Sequence, residues 1–129
     1  MCSSDLLEAG HAAATRLVRA GVTGIICGSD ILALGAIRAV RRLGLTVPGD
    51  VSVIGYDDSA FMSCTDPPLT TTRQPIDAMG RAVVSTLVHQ VEGLTVAPEE
   101  LLFEPELVVR GSTAPATSRT AAGQRAAAG

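Results

Sequence analysis

The sequence predicts an α/β protein built around a parallel sheet, and two observations carry this prediction. Short apolar runs alternate with amphipathic stretches long enough for helices, which is typical of strand–helix–strand units. Hydrophobic residues make up 47% of the 129 residues but aromatic residues only 2%, so the core must be built from aliphatic side chains. A chain of this length is expected to form one domain or a part of one.

The first predicted helix covers about residues 5–20. Ser3 and Ser4 can cap its start, and Gly21 is a typical stop signal. Its apolar positions recur at helical spacing and define one face: Leu6, Gly10, Ala13, Ala14, Leu17 and Val18. Residues 23–27 then form a short apolar strand of the kind that is buried on both faces of a sheet.

The second predicted helix covers residues 30–43 and begins after a capping Ser29. It is apolar around most of its circumference, and its polar stripe consists of three arginines: Arg38, Arg41 and Arg42. Such a helix needs two packing partners. One is the sheet, and the other is either another helix or another subunit. We favour a subunit contact through the side that bears Leu34.

A second apolar strand is predicted at residues 51–54, after a Pro-Gly-Asp turn. The loop that follows, residues 56–68, is long for a connection in a compact domain, and such loops are often functional. Residues 69–74 contain three threonines and are predicted to be extended.

The third predicted helix covers residues 75–92 and carries the cleanest amphipathic pattern in the chain. Its apolar face has little local sequence to pack against, so we expect the helix either to be poorly packed in the isolated chain or to cover its apolar face in a non-native contact. A final strand is predicted at residues 101–109, interrupted by Pro105. From Ser112 onward the chain has few bulky apolar residues and is predicted to be disordered.

Polar residues follow each of the two apolar strands. Ser29 and Asp30 come after the first, and Tyr56, Asp57 and Asp58 come after the second. Ligands of open parallel sheets bind beyond the carboxyl ends of the strands, and neighbouring strands lie about 4.8 Å apart. If these two strands are neighbours, one small molecule can contact both corners.

Asp57 is the strongest candidate for a ligand contact, because a carboxylate accepts hydrogen bonds from two adjacent hydroxyls of a sugar. Asp57 or Asp58 can instead cap the turn, and for Asp58 we prefer the cap. Ser29 is at least as well explained as the cap of the second helix, and Asp30 as a partner of that helix's N-terminus. Phe61, in the long loop, can stack on a sugar face, although a loop anchor or a subunit contact explains it better.

Composition argues against several other functions. The net charge is −3, which provides no electrostatic footprint for nucleic acid. The three cysteines have no metal or disulfide spacing. We see no apolar run that could span a membrane and no signal peptide. Without a nucleophile–base pair, a metal set or a glycine-rich phosphate loop, we expect neither an enzyme nor a cofactor.

The segment SDILALGAIRAVRRLGLTVPGDVSVIGYDD, followed by PPLTTTRQP and LVVRGST, resembles the effector-binding domain of the LacI/GalR family of bacterial transcription regulators. The resemblance covers about residues 5–113. It implies a type I periplasmic-binding-protein-like fold of two α/β lobes around a ligand, of which this chain holds an incomplete part. The family's DNA-binding helix-turn-helix has no counterpart in this sequence.

The resemblance also implies a division of the chain. Residues 1–111 would form the partial effector domain, and residues 112–129 the disordered tail. Within that domain, residues 5–72 and 106–111 would belong to the C-terminal lobe, and residues 73–105 to the N-terminal lobe.

The resemblance also implies roles for individual residues, according to their positions in the family's motifs. Asp57 holds the place of an effector contact, whereas Ser29 stands where many relatives have asparagine. Gln74 lies at a crossing between the lobes, where it either touches ligand or holds the hinge. Relatives pair through the C-terminal lobe, and the residues that fall in the corresponding places are Leu34, Arg38, Phe61 and Cys64.

The sequence therefore predicts a cytoplasmic, homodimeric effector-binding module, with a sugar or related molecule as effector and operator DNA reached only through a missing domain. The alternative is a fragment of a solute-binding protein from a sugar ABC transporter. A fragment of a dinucleotide-binding enzyme ranks far behind, because neither strand is followed by a Gly-x-Gly-x-x-Gly motif.

Overall fold

A computed structural model describes residues 3–94 and 102–116. Its helices and strands, in chain order, are α1 (Ser3–Arg19), β1 (Gly24–Ile26), α2 (Asp30–Arg42), β2 (Ser52–Tyr56), β3 (Thr70–Arg73), α3 (Ile76–Val91) and β4 (Glu106–Val108). The three helices lie within two residues of the predicted bounds. The final strand is shorter than predicted and begins only after Pro105, while Leu101 lies outside the described residues.

The four strands form one sheet in the order β1-β2-β3-β4. β1 is parallel to β2 and β2 is parallel to β3, with Ile25 opposite Val53 and Gly55 opposite Thr71. β4 runs antiparallel to β3. The predicted α/β class is confirmed, and so is the parallel pairing that brings the ends of β1 and β2 to the same edge of the sheet.

The core lies between α2 and the sheet and is aliphatic, as the composition requires. Ala33, Ala39 and Val40 of α2 are completely buried, as are Val53 of β2 and Leu69 before β3. Dense packing of such side chains is the main source of stability in a domain of this size.

α1 supplies the second packing partner that α2 requires. The two helices approach so closely at two glycines that a methyl group would not fit. A Cβ at Gly10 would meet the carbonyl oxygen of Leu32, and a Cβ at Gly35 would meet that of Leu7. Leu34 is half-buried at the margin of the core, and the subunit contact through its side of α2 stays a prediction.

The chain beyond β4 is ordered further than predicted. Ser112 is completely buried. Its hydroxyl donates to the carbonyl oxygen of Val53 at 2.6 Å and accepts from the amide of Thr70 at 2.8 Å. The predicted start of the tail at Ser112 is therefore wrong, because this small polar side chain satisfies buried backbone groups of two strands. Residues 117–129 of the predicted tail lie outside the described residues.

α3 projects from the sheet, and none of its residues is buried. Several large apolar side chains face solvent over more than half of their surface, among them Ile76, Val83, Leu87 and Val91. This confirms the expectation that the helix is poorly packed in this chain. Among residues 3–94 and 102–116, no helix combines the length and the apolar character that a bilayer crossing demands.

Candidate ligand-binding site

The ends of β1, β2 and β3 are joined through the carboxylate of Asp30. This residue follows β1 at the start of α2 and is completely buried. One of its oxygens accepts from the hydroxyl of Thr71 at 2.6 Å, and the other accepts from the amide of Ser59 at 2.6 Å. The polar corner after β1 is therefore in direct contact with β3 and with Ser59, the residue that follows Asp58.

The same burial argues against the predicted ligand contact by Asp30. Both of its carboxylate oxygens already accept hydrogen bonds from the chain, and none of its surface is exposed. Its position next to Gly55 is so close that a Cβ at Gly55 would meet its Oδ1 atom. Asp30 is therefore a residue that shapes the corner, since a buried carboxylate needs such partners to be tolerated.

Asp57 lies half-buried at the end of β2, beside a cleft of about 470 Å³. Its Oδ1 accepts from the side-chain amide of Gln74 at 2.8 Å. The far wall of the cleft is the first turns of α3 and includes Ile76, Asp77 and Arg81. The structure thus brings together two predicted site residues, Asp57 and Gln74, at the point where the chain leaves the sheet for α3.

Ser29 and Phe61 do not line this cleft. Ser29 caps α2, because its hydroxyl oxygen accepts from the amide of Leu32 at 3.3 Å. Phe61 is 78% exposed and has a positive φ of 75° in the loop after β2. The structure gives neither residue a place next to Asp57, so their ligand contacts stay predictions without geometric support.

Asp58 has a role that the sequence did not indicate. Its Oδ2 accepts from Nε and Nη2 of Arg73, both at 2.7 Å, and its Oδ1 lies 2.7 Å from Nη2 of Arg110. Burial raises the pKa of this carboxyl group, but the hydrogen bonds and charges of Arg110 and Arg73 outweigh burial and hold its pKa below 3.8. The preference for a turn-capping carboxylate at Asp58 is therefore wrong.

Sequence reasoning missed Arg73 and Arg110 as site residues. Arg73 ends β3, and Arg110 follows β4 and also donates to the carbonyl oxygen of Leu69 at 2.8 Å. The available signal was an unexplained acidic residue after a strand, together with single arginines at the ends of two later strands. Nothing in their spacing identifies which charges pair, because pairing follows from the order of the strands in the sheet.

The residues of the predicted dimer patch lie around α2 and the loop after β2. Leu34 and Arg38 line a groove of about 490 Å³ together with Arg41 and Asp66. Arg38 is paired with Glu8 at 2.7 Å, and Arg41 with Asp66 at 3.1 Å.

The two cysteines in the described part of the chain have different environments. Cys64 is exposed, as is Phe61, whereas Cys27 is half-buried beside the core. Burial raises the pKa of the Cys27 thiol to about 11. Cys27 therefore acts as a small, partly buried apolar residue, because a thiol with a raised pKa is rarely the reactive thiolate. No described group of three or more His, Cys, Asp or Glu residues could hold a metal ion.

Comparison with known proteins identifies the class to which this fold and cleft belong. The family model of the periplasmic binding protein-like domain matches residues 3–113. The chain therefore belongs to the periplasmic binding protein-like family, and its relatives within that family are LacI-type transcription regulators.

Three relatives illustrate this. The transcriptional regulator MalR of Streptomyces coelicolor is 56% identical over 110 residues, which are 85% of this chain and 32% of that protein. The structure of the CelR–cellobiose complex has a TM-score of 0.76 at 38% identity and matches 82% of this chain and 33% of that one. The lac repressor dimer bound to operator and the anti-inducer ONPF has a TM-score of 0.73 at 36% identity, covering 82% and 37%.

The chain spans about a third of the length of the curated relatives that it matches most extensively. The matched regulators are helix-turn-helix transcription regulators rather than enzymes. These relationships confirm the resemblance read from the sequence and favour a regulator over a transporter solute-binding protein.

Proposed function

We propose that this chain is the effector-binding and dimerisation part of a LacI-type transcription regulator and that a sugar binds in the cleft beside Asp57. The observation that carries the proposal is the Asp57–Gln74 hydrogen bond between the end of β2 and the entry to α3. A carboxylate and an amide at 2.8 Å present acceptors and a donor to the paired hydroxyls of a sugar.

The charges around the cleft support a neutral, polar ligand. Asp58 is already neutralised by two arginines, and Asp77 and Arg81 on the far wall have opposite charges. Asp57 accepts from the neutral amide of Gln74, and among the described residues no arginine forms an ion pair with it. A hydroxyl-rich ligand can satisfy it without introducing a charge of its own.

Cellobiose is the first probe, since CelR was solved in complex with it. Titration of the isotope-labelled chain with millimolar cellobiose, glucose and ribose should shift the amide resonances of residues 55–59 and 73–78. Asp57→Asn keeps the shape but removes charge-assisted hydrogen bonds, each of which contributes about 1.5–3 kcal/mol. Affinity should therefore fall at least tenfold.

Asp66→Asn is the matched control. It likewise removes one aspartate charge, but Asp66 is paired with Arg41 on the surface and lines the groove beside α2, away from the cleft. Equal weakening by both variants would assign the effect to net charge. Unchanged resonances at residues 55–59 and 73–78 with all three sugars would refute the sugar-binding proposal.

For the dimer, we propose the face formed by Leu34, Arg38, Phe61 and Cys64. Phe61 is exposed in a backbone conformation that non-glycine residues rarely adopt, and an aromatic side chain held outward in this way is typical of an interface anchor. Phe61→Ser and Leu34→Glu should each shift the chain towards monomer in sedimentation equilibrium. Leu87→Glu, on the exposed face of α3, is the control for a general loss of apolar surface.

By analogy with its relatives, we propose that residues 5–72 and 106–111 belong to one lobe and residues 73–105 to the other. The parent regulator would reach operator DNA through a separate helix-turn-helix domain, as its relatives' names imply, and would act in the cytoplasm without catalysing a reaction. The chain alone should therefore not change the mobility of operator DNA in a gel. A mobility shift at physiological salt would refute the proposal that DNA binding belongs to a separate domain.

A further inference from the structure

The strand that leads into α3 and the strand on which the chain returns from it are both tied to one carboxylate. Arg73 is the last residue of β3, directly before the turn into α3, and Arg110 lies two residues beyond β4, by which the chain returns. Asp58 binds Arg73 through Oδ2 and Arg110 through Oδ1, each at 2.7 Å. Its side chain is only 9% exposed, so solvent and salt screen these pairs less than they screen a surface pair.

Asp58 is also joined to the ligand corner through the backbone. Asp57 and Asp58 both have positive φ values, 110° and 51°. Such conformations are disfavoured for side-chain-bearing residues and persist where the surroundings hold them. Here the Asp57 amide donates to the carbonyl oxygen of Thr72 at 2.9 Å, and the Asp58 amide donates to the hydroxyl of Thr71 at 3.3 Å.

α3 has little else to fix its position, because none of its residues is buried. The far wall of the cleft nevertheless belongs to α3, whereas Asp57 belongs to the sheet. The position of the α3 wall relative to Asp57 therefore depends on how β3 and β4, the strands before and after α3, are held against the end of β2.

We propose that Asp58 is the positioning residue of the cleft: by clamping Arg73 and Arg110 together, it holds the α3 wall at a defined distance from Asp57. The clamp itself does not depend on the identity of the ligand. Its consequence for binding rests on the sugar-binding function proposed above.

The clamp can be tested without ligand by measuring how precisely α3 is held. Spin labels at Ala12→Cys on α1 and Ser85→Cys on α3, both exposed positions, report the distance between the two parts in a background without the native cysteines. Double electron–electron resonance, with unlabelled chain added to suppress signals between copies, should give a narrow distance distribution. Asp58→Asn should broaden it at least twofold, because the clamp loses its charge.

Two comparisons separate positioning from a general loss of stability. Asp66→Asn breaks a surface aspartate–arginine pair and should leave the distribution narrow. Arg73→Gln and Arg110→Gln each remove one of the two ion pairs of Asp58, so each should broaden the distribution less than Asp58→Asn does. Neither arginine variant should broaden it further when Asp58 is already asparagine. A merely stabilising role would lower the midpoint of urea unfolding but leave the distribution of the folded chain unchanged.

A narrow distribution in Asp58→Asn, equal to that of the unsubstituted chain, would overturn the proposal. Should Asp58→Asn fail to fold, the two arginine variants decide alone, and unchanged distributions in both would likewise overturn it. Cellobiose titration then tests the consequence for binding, which should weaken at least threefold in Arg110→Gln. If the variants broaden the distance distribution but the chain binds none of the sugars, the proposed ligand class is refuted and the proposed role of Asp58 is not.

Discussion

The close approach of α1 and α2 makes Gly35→Ala a sharp test of the fold. Gly35 lies in the middle of α2, and an added Cβ would collide with the carbonyl oxygen of Leu7 and lie 2.8 Å from the amide nitrogen of His11. Both atoms belong to the backbone of α1. A flexible side chain could rotate away, but backbone atoms can move only if the whole helix shifts.

Two opposing effects set the expected magnitude. Alanine is a better helix former than glycine by about 1 kcal/mol. Overpacking of a well-packed core costs about 1–3 kcal/mol, and a collision with backbone belongs at the upper end of that range. The collision therefore wins, and Gly35→Ala should lower the free energy of unfolding by about 2 kcal/mol. Gly10→Ala, whose Cβ would meet the backbone of Leu32, should act in the same direction.

Gly80→Ala is the matched control, because Gly80 lies in α3 with no atom within 4 Å of an added Cβ. This variant gains helix propensity without a collision, so the unfolding midpoint should stay unchanged or rise. Urea unfolding followed by circular dichroism at 222 nm measures all three variants. If Gly35→Ala is as stable as the unsubstituted chain while Gly80→Ala behaves as expected, α1 and α2 do not meet as described.

Three further predictions concern the corner, the exposed helix and acid stability. Asp30→Ala removes the acceptor for Thr71 and Ser59 inside the core and should cost about 3 kcal/mol in urea unfolding. Asp30→Asn should cost less, since the Thr71 hydroxyl can reverse and accept from the amide, and equal costs would contradict this account. Amide hydrogens of residues 79–91 should exchange much faster than those of residues 52–54, and equal protection would show that α3 is covered in solution. The pKa of Asp58 is lower in the folded chain than its ordinary value of 3.8, so its stabilising contribution is complete above that value and is lost as pH falls through the depressed folded value. Arg73, Arg110 and the nearby Glu106 face this group. Asp58→Asn should therefore lessen the loss of stability as pH falls below 3.8, and an unchanged dependence of stability on acid pH would mean that Asp58 is not paired in solution.

The sequence predicted the element order well because helix and strand periods are local properties. Alternating apolar runs and amphipathic stretches located all three helices, and the acidic residues after two strands located the corner. The prediction of a poorly packed third helix also came from local information: seven large apolar side chains on one face, without a complementary segment nearby. In the structure none of the residues of α3 is buried.

The misjudged residues share a physical cause. Asp30 was predicted to contact a ligand or the N-terminus of α2, yet its oxygens accept from the Thr71 hydroxyl and from the Ser59 amide. Ser112 was assigned to a polar tail, yet its hydroxyl satisfies buried groups of Val53 and Thr70. In each case a small polar side chain is buried because backbone or hydroxyl groups from distant segments need a partner there.

By itself, the sequence determined the class of fold, the family and the edge of the sheet at which the polar residues after β1 and β2 meet, because each depends on residue periodicity and on motifs within short segments. Only the tertiary structure decided which partner each polar side chain at the cleft has. Asp57 and Asp58 are neighbours of the same chemical type, yet one accepts from Gln74 beside the cleft and the other binds Arg73 and Arg110. That difference follows from strand order and the direction of two consecutive side chains, since electrostatic partners are selected by distance in space and not by separation along the chain.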